Sequence, residues 1–275
     1  MVLLVALTTP QVGFHRTADV AYQAGDRGKL DVYAPSAPHP GAPIVVFIYG
    51  GGWEGGSKAL YRFVGASLAK AGVVTVIPDY RVYPQVRYPA FLQDNARAVA
   101  WARDHAADYG ADPHRLVLMG HSAGAYDAAM LALDPRWLAE VGMDPVRDIR
   151  GVIGLSGPYD FLPLGSETLK AIFGPPQTLP ATQPINHVSA KAPPFMLAAG
   201  TADRTVLPRN SEHLSEALGR NGVPAGLKLY PGVKHPATIT AFLPVFGSRL
   251  DVPRRSLDFI AQVTADAAAP RAAAE

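Results

Sequence analysis

The 275-residue chain contains no cysteine. That absence removes disulfides, thiolate metal sites and cysteine nucleophiles together, and it leaves the redox compartment open, because oxidising and reducing compartments both tolerate such a chain. An excess of either charge is also missing. Lys and Arg total 25 against 23 for Asp and Glu, with no basic run interleaved with aromatics, so nothing suits a nucleic-acid surface. No apolar run is long enough to cross a bilayer. The opening Val2–Leu7 is far too short and has no Lys or Arg ahead of it, as a secretory leader would. The expectation is a soluble chain with no stable membrane insertion, cytoplasmic or, with a leader removed, periplasmic or secreted. Oligomeric state is left open. Internal repeats are missing too, and the Ala-rich residues 265–275 read as a flexible tail.

What is present is alternation. Two strand-like runs, "RTADVAYQ" and "GKLDVYAP", precede "APIVVFIY", a helical stretch near Ala59–Ala71, and a buried strand "GVVTVIPDY". A helix over about Pro89–Tyr109 follows, with Phe91, Leu92, Ala96, Val99 and Trp101 on its apolar side, then a strand "RLVLMG" and a helix over Ala123–Leu133. Strands "IRGVIGLSG", "PPFMLAAGT" and "GLKLYP" come next, with helices near Pro208–Gly219 and Pro253–Thr264. Two hairpin-like strands followed by repeated β-α units predict one α/β domain: a mostly parallel, doubly wound sheet with an antiparallel N-terminal edge. The Pro-rich span 158–194 interrupts the alternation and reads as a short cap insertion over the sheet's C-terminal edge.

The stretch "VVFIYGGGWEGGSK" poses a choice. Gly50, Gly52 and Gly55 fit G-x-G-x-x-G, and Asp79 ends a later apolar run where a ribose-binding acid would stand. A dinucleotide site, however, needs a helix to open inside the glycine motif, and Trp53, Gly55 and Gly56 delay any helix to about Ser57. A phosphate loop fails as well, because "GGSK" lacks the Gly-Lys-Ser/Thr order.

"RLVLMGHSAGAYDAAMLA" decides between them. It sets Gly120-His121-Ser122-Ala123-Gly124 where a strand should end and a helix begin, the G-x-S-x-G turn that presents a serine nucleophile. A serine hydroxyl needs a base, and the base needs a carboxylate behind it. Asp203 after "PPFMLAAGTAD" and His235 after "LKLYPGVKH" follow in that order, each on a loop after a strand. Ser156 in "GLSGPYD" lacks the second motif glycine and is read as structural, and Asp160 is the fallback acid. His105 and His114 read as lying in or beside a surface helix, His213 as a helix-face residue, and His15, His39 and His187 as loop or edge residues. With Ser122 as nucleophile, the glycine loop becomes an oxyanion hole: backbone N–H groups of Gly51 and Gly52 with that of Ala123.

At these residues the chain resembles the α/β-hydrolase superfamily, and within it the small carboxylesterases related to hormone-sensitive lipases, feruloyl esterases and kynurenine formamidases. The matching stretches are "YGGGWEGGSK", "VIPDYRVYPQVRYPAFLQD", "GHSAGAYDAAMLA", "LSGPYDF", "GTADRTV" and "PGVKH", over roughly Leu30–Ala241. The resemblance implies the α/β-hydrolase fold, Ser122, Asp203 and His235 as nucleophile, acid and base, Gly51, Gly52 and Ala123 as oxyanion donors, and no cofactor or metal. Tyr49 stands where relatives usually have His, so it joins Trp53 and His121 as an expected substrate-pocket residue. Asp79, Arg81 and Asp94 are expected scaffold. The implied activity is hydrolysis of small-molecule carboxylic esters, short-acyl or aryl given the short insertion. Formamide or amide hydrolysis by the same triad is the alternative. A non-catalytic binding protein on this fold commonly lacks a triad residue, and all three are present here.

Overall fold

In the computed structural model the described residues are 12–37, 40–243 and 250–265. The apolar start Val2–Leu7, His39 and the expected tail beyond residue 265 lie outside them. Eight strands form one sheet: β1 (Phe14–Ala21), β2 (Lys29–Pro35), β3 (Ala42–Ile48), β4 (Val74–Pro78), β5 (Ala111–His121), β6 (Gly151–Leu155), β7 (Phe195–Gly200) and β8 (Ala225–Tyr230), in the order β1-β2-β4-β3-β5-β6-β7-β8. β1 pairs antiparallel with β2 and β2 antiparallel with β4, and every other neighbouring pair is parallel. The predicted doubly wound sheet with an antiparallel edge is therefore the one observed.

The strand sequences follow from where each strand lies. β4, β6 and β7 are buried along their whole length and read as continuous apolar runs, because helices cover both faces of the central sheet. β8, at the edge, alternates. The helix Ala123–Leu133 is buried all round and has an almost wholly apolar sequence, whereas Val252–Thr264 buries only a stripe of Val252, Ser256, Ile260 and Thr264.

Three expected elements change shape. The stretch from Ala59 divides into a 3-10 turn, Lys58–Tyr61, and a helix, Arg62–Lys70, since the Lys58 N–H is held by Asp79 and its ammonium by Asp19 and Asp31. The helix expected to reach Tyr109 stops at Asp104, and a separate 3-10 turn, Ala107–Tyr109, closes on Gly110 in the left-handed region. Span 158–194 holds a helix, Glu167–Phe173, and two 3-10 segments, Pro176–Thr182 and Pro184–His187. It is fastened inward by the Tyr126 hydroxyl donating to the Thr182 carbonyl at 2.7 Å and by Phe173 packing edge-on against Trp53.

Register aligns the functional loops. Ile48 pairs with Gly120, His121 with Leu155, Leu155 with Ala198 and Gly200 with Tyr230, so β3, β5, β6, β7 and β8 all finish along one edge. The segments after them carry the glycine loop, Ser122, Ser156, Asp203 and His235.

At the antiparallel edge the fully buried Asp31 carboxylate accepts from Arg16 at 2.7 Å and Lys58 at 2.8 Å. Removing one member of a buried ionic cluster strands the rest. Asp31→Ala is expected to lower unfolding free energy by about 3 kcal/mol, read as a lower urea midpoint at unchanged slope. An unchanged midpoint would mean that the two cations find water instead.

Candidate active site

Ser122 joins β5 to the helix that follows it, with φ 54° and ψ −126°, a left-handed backbone that side-chain-bearing residues rarely adopt. The flanking glycines are compelled by space. A Cβ on Gly120 would lie 2.1 Å from the Gly124 carbonyl oxygen, and one on Gly124 would lie 2.0 Å from that of Ile48. The serine is thus raised on a turn that only glycines can flank.

The His235 ring stands over it. Its Nε2 lies 2.9 Å from Ser122 Oγ, and its Nδ1 lies 2.7 Å from Asp203 Oδ2. With the proton on Nδ1, the ring donates to the carboxylate and accepts from the serine hydroxyl. Asp203 is buried, and its other oxygen accepts the backbone N–H groups of Thr205 and Val206, both at 2.9 Å. The acid and histidine loops are tied to each other by Ala202 N–H to the Val233 carbonyl at 3.0 Å and Gly232 N–H to Thr201 Oγ1 at 2.9 Å. Three residues far apart in sequence therefore meet in the order proton donor, base, carboxylate.

The glycine loop lies against this turn. A Cβ on Gly50 would come within 2.8 Å of Ser122 Cβ. Gly51 has φ 149° and Gly52 φ 63°, and the Gly51 carbonyl accepts from Glu54 and Gly55 N–H, both at 3.1 Å. Ala123 opens its helix, so its N–H is a first-turn donor with no intrahelical acceptor. The loop and the helix start are thus both beside the serine.

The structure buries the three expected pocket residues. Tyr49 is wholly buried, stacked between Tyr61 and Tyr80 with centroids at 5.6 and 4.8 Å. Its hydroxyl donates to Asp79 at 2.8 Å and accepts from Arg27 at 2.9 Å, which places it under the loop as support. Trp53 is buried in an aromatic cluster with Tyr126, Phe161 and Phe173, its indole N–H donating to Asp127. His121 is buried behind His235, with ring centroids 4.9 Å apart and Nε2 3.3 Å from the His235 carbonyl oxygen.

Arg81 and Asp94 form a bidentate pair, and Asp79 also accepts the Lys58 N–H. Asp160 pairs with His213 at 2.7 Å, whereas His235 pairs with Asp203. Ser156 is buried, and its Oγ lies 3.0 Å from Thr238 Oγ1 in the histidine's own segment, a brace that the sequence reading passed over. A cleft of about 740 Å³ between the starts of β6–β8 and the helix Val252–Thr264, lined by Arg150, Phe195, Arg255 and Phe259, lies at the opposite sheet edge from the triad. Among the described residues no group of three or more His, Asp or Glu is placed to hold a metal ion, and no helix is long and apolar enough to cross a membrane.

With this geometry in place, comparison with known proteins adds the family. The BD-FAE family model matches residues 30–218. The chain belongs to the BD-FAE family. This BD-FAE member is 31% identical over 240 residues to the probable isoprenylcysteine alpha-carbonyl methylesterase ICMEL1 of Arabidopsis thaliana, a match over 78% of this chain and 50% of that one. It is 30% identical to esterase LipC of Mycobacterium tuberculosis, over 75% and 56% of the two chains. The chain thus spans about half the length of the curated relatives it matches. Among solved structures it is similar to Thermogutta terrifontis esterase 2 phosphoramylated by tabun, with a TM-score of 0.74, 25% identity and coverage of 96% and 98%. The BD-FAE member has the α/β-hydrolase fold.

Burial, with the neighbouring His235 second, pushes the His121 imidazole down to about 3 from its ordinary 6.5. Around this ring, the His235 imidazole opposes a charge, while the His235 backbone carbonyl and Asp203 favour one. Between those pH values the unfolded chain binds a proton that the folded one refuses, so stability falls as pH drops from about 6.5 toward 3, by at most ~1.4 kcal/mol per pH unit. His121→Gln is expected to flatten that limb in urea titrations at pH 7, 5.5 and 4. Parallel limbs for variant and parent would show that His121 is protonated without cost.

Proposed function

We propose that the chain is a serine carboxylesterase that cleaves small carboxylic esters through an acyl-enzyme on Ser122. The observation that carries this reading is the continuous run from Ser122 Oγ to His235 to Asp203, at 2.9 and 2.7 Å, beside a glycine loop that touches the serine. The esterase names of the relatives support it independently.

The steps follow from the geometry. His235 Nε2 takes the hydroxyl proton as Ser122 Oγ attacks the ester carbonyl carbon, and the C=O electron pair moves onto oxygen. N–H groups of Gly51, Gly52 and Ala123 hold that oxyanion. Asp203 keeps the ring oriented and stabilises the imidazolium. Collapse expels the alcohol, protonated from Nε2, and leaves the acyl group on Oγ. Water, deprotonated by the same nitrogen, then repeats the sequence, releasing the acid and restoring the serine. The buried, neutral His121 matters here: a second positive charge next to the imidazolium would oppose its formation.

The short insertion, packed inward against Trp53 and Tyr126, supports short-acyl or aryl esters as the substrate class. Methyl esters belong in the same panel, given the methylesterase relatives.

Ser122→Ala is expected to lower kcat on p-nitrophenyl acetate by roughly five to six orders of magnitude and to abolish labelling by a fluorophosphonate. Retained turnover in that variant would reject Ser122 as nucleophile. In a panel of p-nitrophenyl esters, acetate and butyrate are expected to exceed long-chain esters in kcat/KM. Faster turnover of N-formylkynurenine than of every ester would move the assignment to a formamidase.

A further inference from the structure

The helix Ala123–Leu133 is apolar except at one place, Asp127, whose side chain is fully buried one and a half turns after the nucleophile. No cation faces it. Asp127 Oδ1 accepts the Trp53 indole N–H at 3.1 Å, and Oδ2 accepts from Asn95 Nδ2 at 3.0 Å. Asn95 is equally buried, and its Oδ1 has no partner among the described residues. A carboxyl placed there is costly unless it does something an apolar residue could not.

Its position suggests what. Trp53 directly follows Gly51 and Gly52 and itself has φ 59°, a left-handed conformation that a bulky residue holds only when its surroundings fix it. Asp127 belongs to the helix whose first residue is Ala123. The Trp53–Asp127 hydrogen bond therefore joins the two segments that bear the oxyanion donors, across 74 positions of sequence. Packing alone would centre the indole: Tyr126 and Phe173 meet it edge-on at 5.2 and 4.8 Å. A single directional acceptor is what stops the ring, and the glycines attached to it, from sliding along that apolar cleft.

We propose that Asp127 is a positioning residue for the oxyanion hole, acting through the Trp53 indole to set the distance between the glycine loop and the start of the nucleophile's helix. This rests on the esterase reading above. What the indole needs is an acceptor, not a charge. Burial pushes the Asp127 carboxyl well above the usual carboxylate range, with the indole N–H opposing, so a neutral group suits the site. An amide at 127 can accept from Trp53 through its oxygen and donate to the unpartnered Asn95 oxygen after a flip of the Asn95 amide.

The test uses Asp127→Asn, Asp127→Leu, Trp53→Phe and the Leu/Phe double variant, each with kcat divided by the fraction of sites that fluorophosphonate labels. Asp127→Asn should stay within about threefold of the parent. Asp127→Leu and Trp53→Phe should each lose about 10- to 100-fold in kcat with KM changed less than about threefold, a fraction of the 100- to 1,000-fold typical for losing a whole donor. A trifluoromethyl ketone, which forms a hemiketal oxyanion on the serine, should bind more weakly by the same factor. The double variant should lose no more than either single one. The Trp53 indole ¹H–¹⁵N resonance, one of three in the chain, should move upfield in Asp127→Leu and stay in place in Asp127→Asn. Losses that multiply in the double variant, or singles with parental kcat per labelled site, would overturn the proposal while Ser122→Ala still upholds the esterase reading. An unreactive parent chain would overturn both. If Asp127→Leu does not fold, Trp53→Phe set against Asp127→Asn decides by the same criteria.

Discussion

The Ile48 carbonyl oxygen occupies the space that a Cβ on residue 124 would need, leaving 2.0 Å between them. This close approach of two backbones is the constraint on which the site depends. β3 and β5 are parallel neighbours in register through Ile48 and Gly120, so their ends emerge side by side. Only with glycine at 120 and 124 does the turn after β5 fold tightly enough to raise Ser122 against the loop that leaves β3. Ser122 and the glycine loop are neighbours because the sheet register makes them so, and the missing side chains let them touch.

Charge is handled sparingly around that contact. Asp203 is the buried carboxylate nearest the chemistry, and two backbone N–H groups plus the imidazole satisfy it. The second imidazole, His121, is buried deeply enough to stay uncharged. The ion pairs that stabilise the fold stand elsewhere, at Asp31 with Arg16 and Lys58 and at Asp94 with Arg81 and Arg97. The imidazolium and oxyanion of the proposed mechanism would therefore meet few competing fields, and in a low dielectric that separation counts for more than it would in water.

Much of this was legible in the sequence, for identifiable reasons. Glycine spacing around Ser122 and the placement of Asp203 and His235 after strand-like runs encode local geometry, and parallel strands then bring their ends to one edge without further instruction. The surroundings of the three pocket candidates were not legible. Whether Tyr49 faces substrate or core depends on Arg27 and Asp79, and the role of Trp53 depends on Asp127, contacts over 22 to 74 positions that periodicity does not reveal. Element boundaries shifted for the same reason: Lys58 begins a 3-10 turn because distant carboxylates hold it. One signal was readable and unused, a lone Asp in the otherwise apolar stretch "AGAYDAAMLAL".

The glycine loop shows how these layers join. Glycines give up more conformational freedom on ordering than any other residue, so a loop built from them is a poor scaffold unless it is fastened from outside. Here it is fastened at three points. Before it, Tyr49 is clamped by Asp79 and Arg27, and the Tyr80 hydroxyl donates to the Tyr49 carbonyl at 2.7 Å. After it, Arg27 donates to the Gly56 carbonyl at 2.9 Å and Asp79 accepts the Lys58 N–H at 2.7 Å. In the middle, the Trp53 carbonyl accepts from Tyr83 N–H at 2.7 Å while its indole reaches Asp127. The tyrosine at position 49 thus anchors the loop through a longer arm than a histidine ring offers, reaching Asp79 and Arg27 from the end of β3. In the proposed mechanism, donors held this way would need no rearrangement when negative charge develops, a readiness set by side chains below and behind the loop.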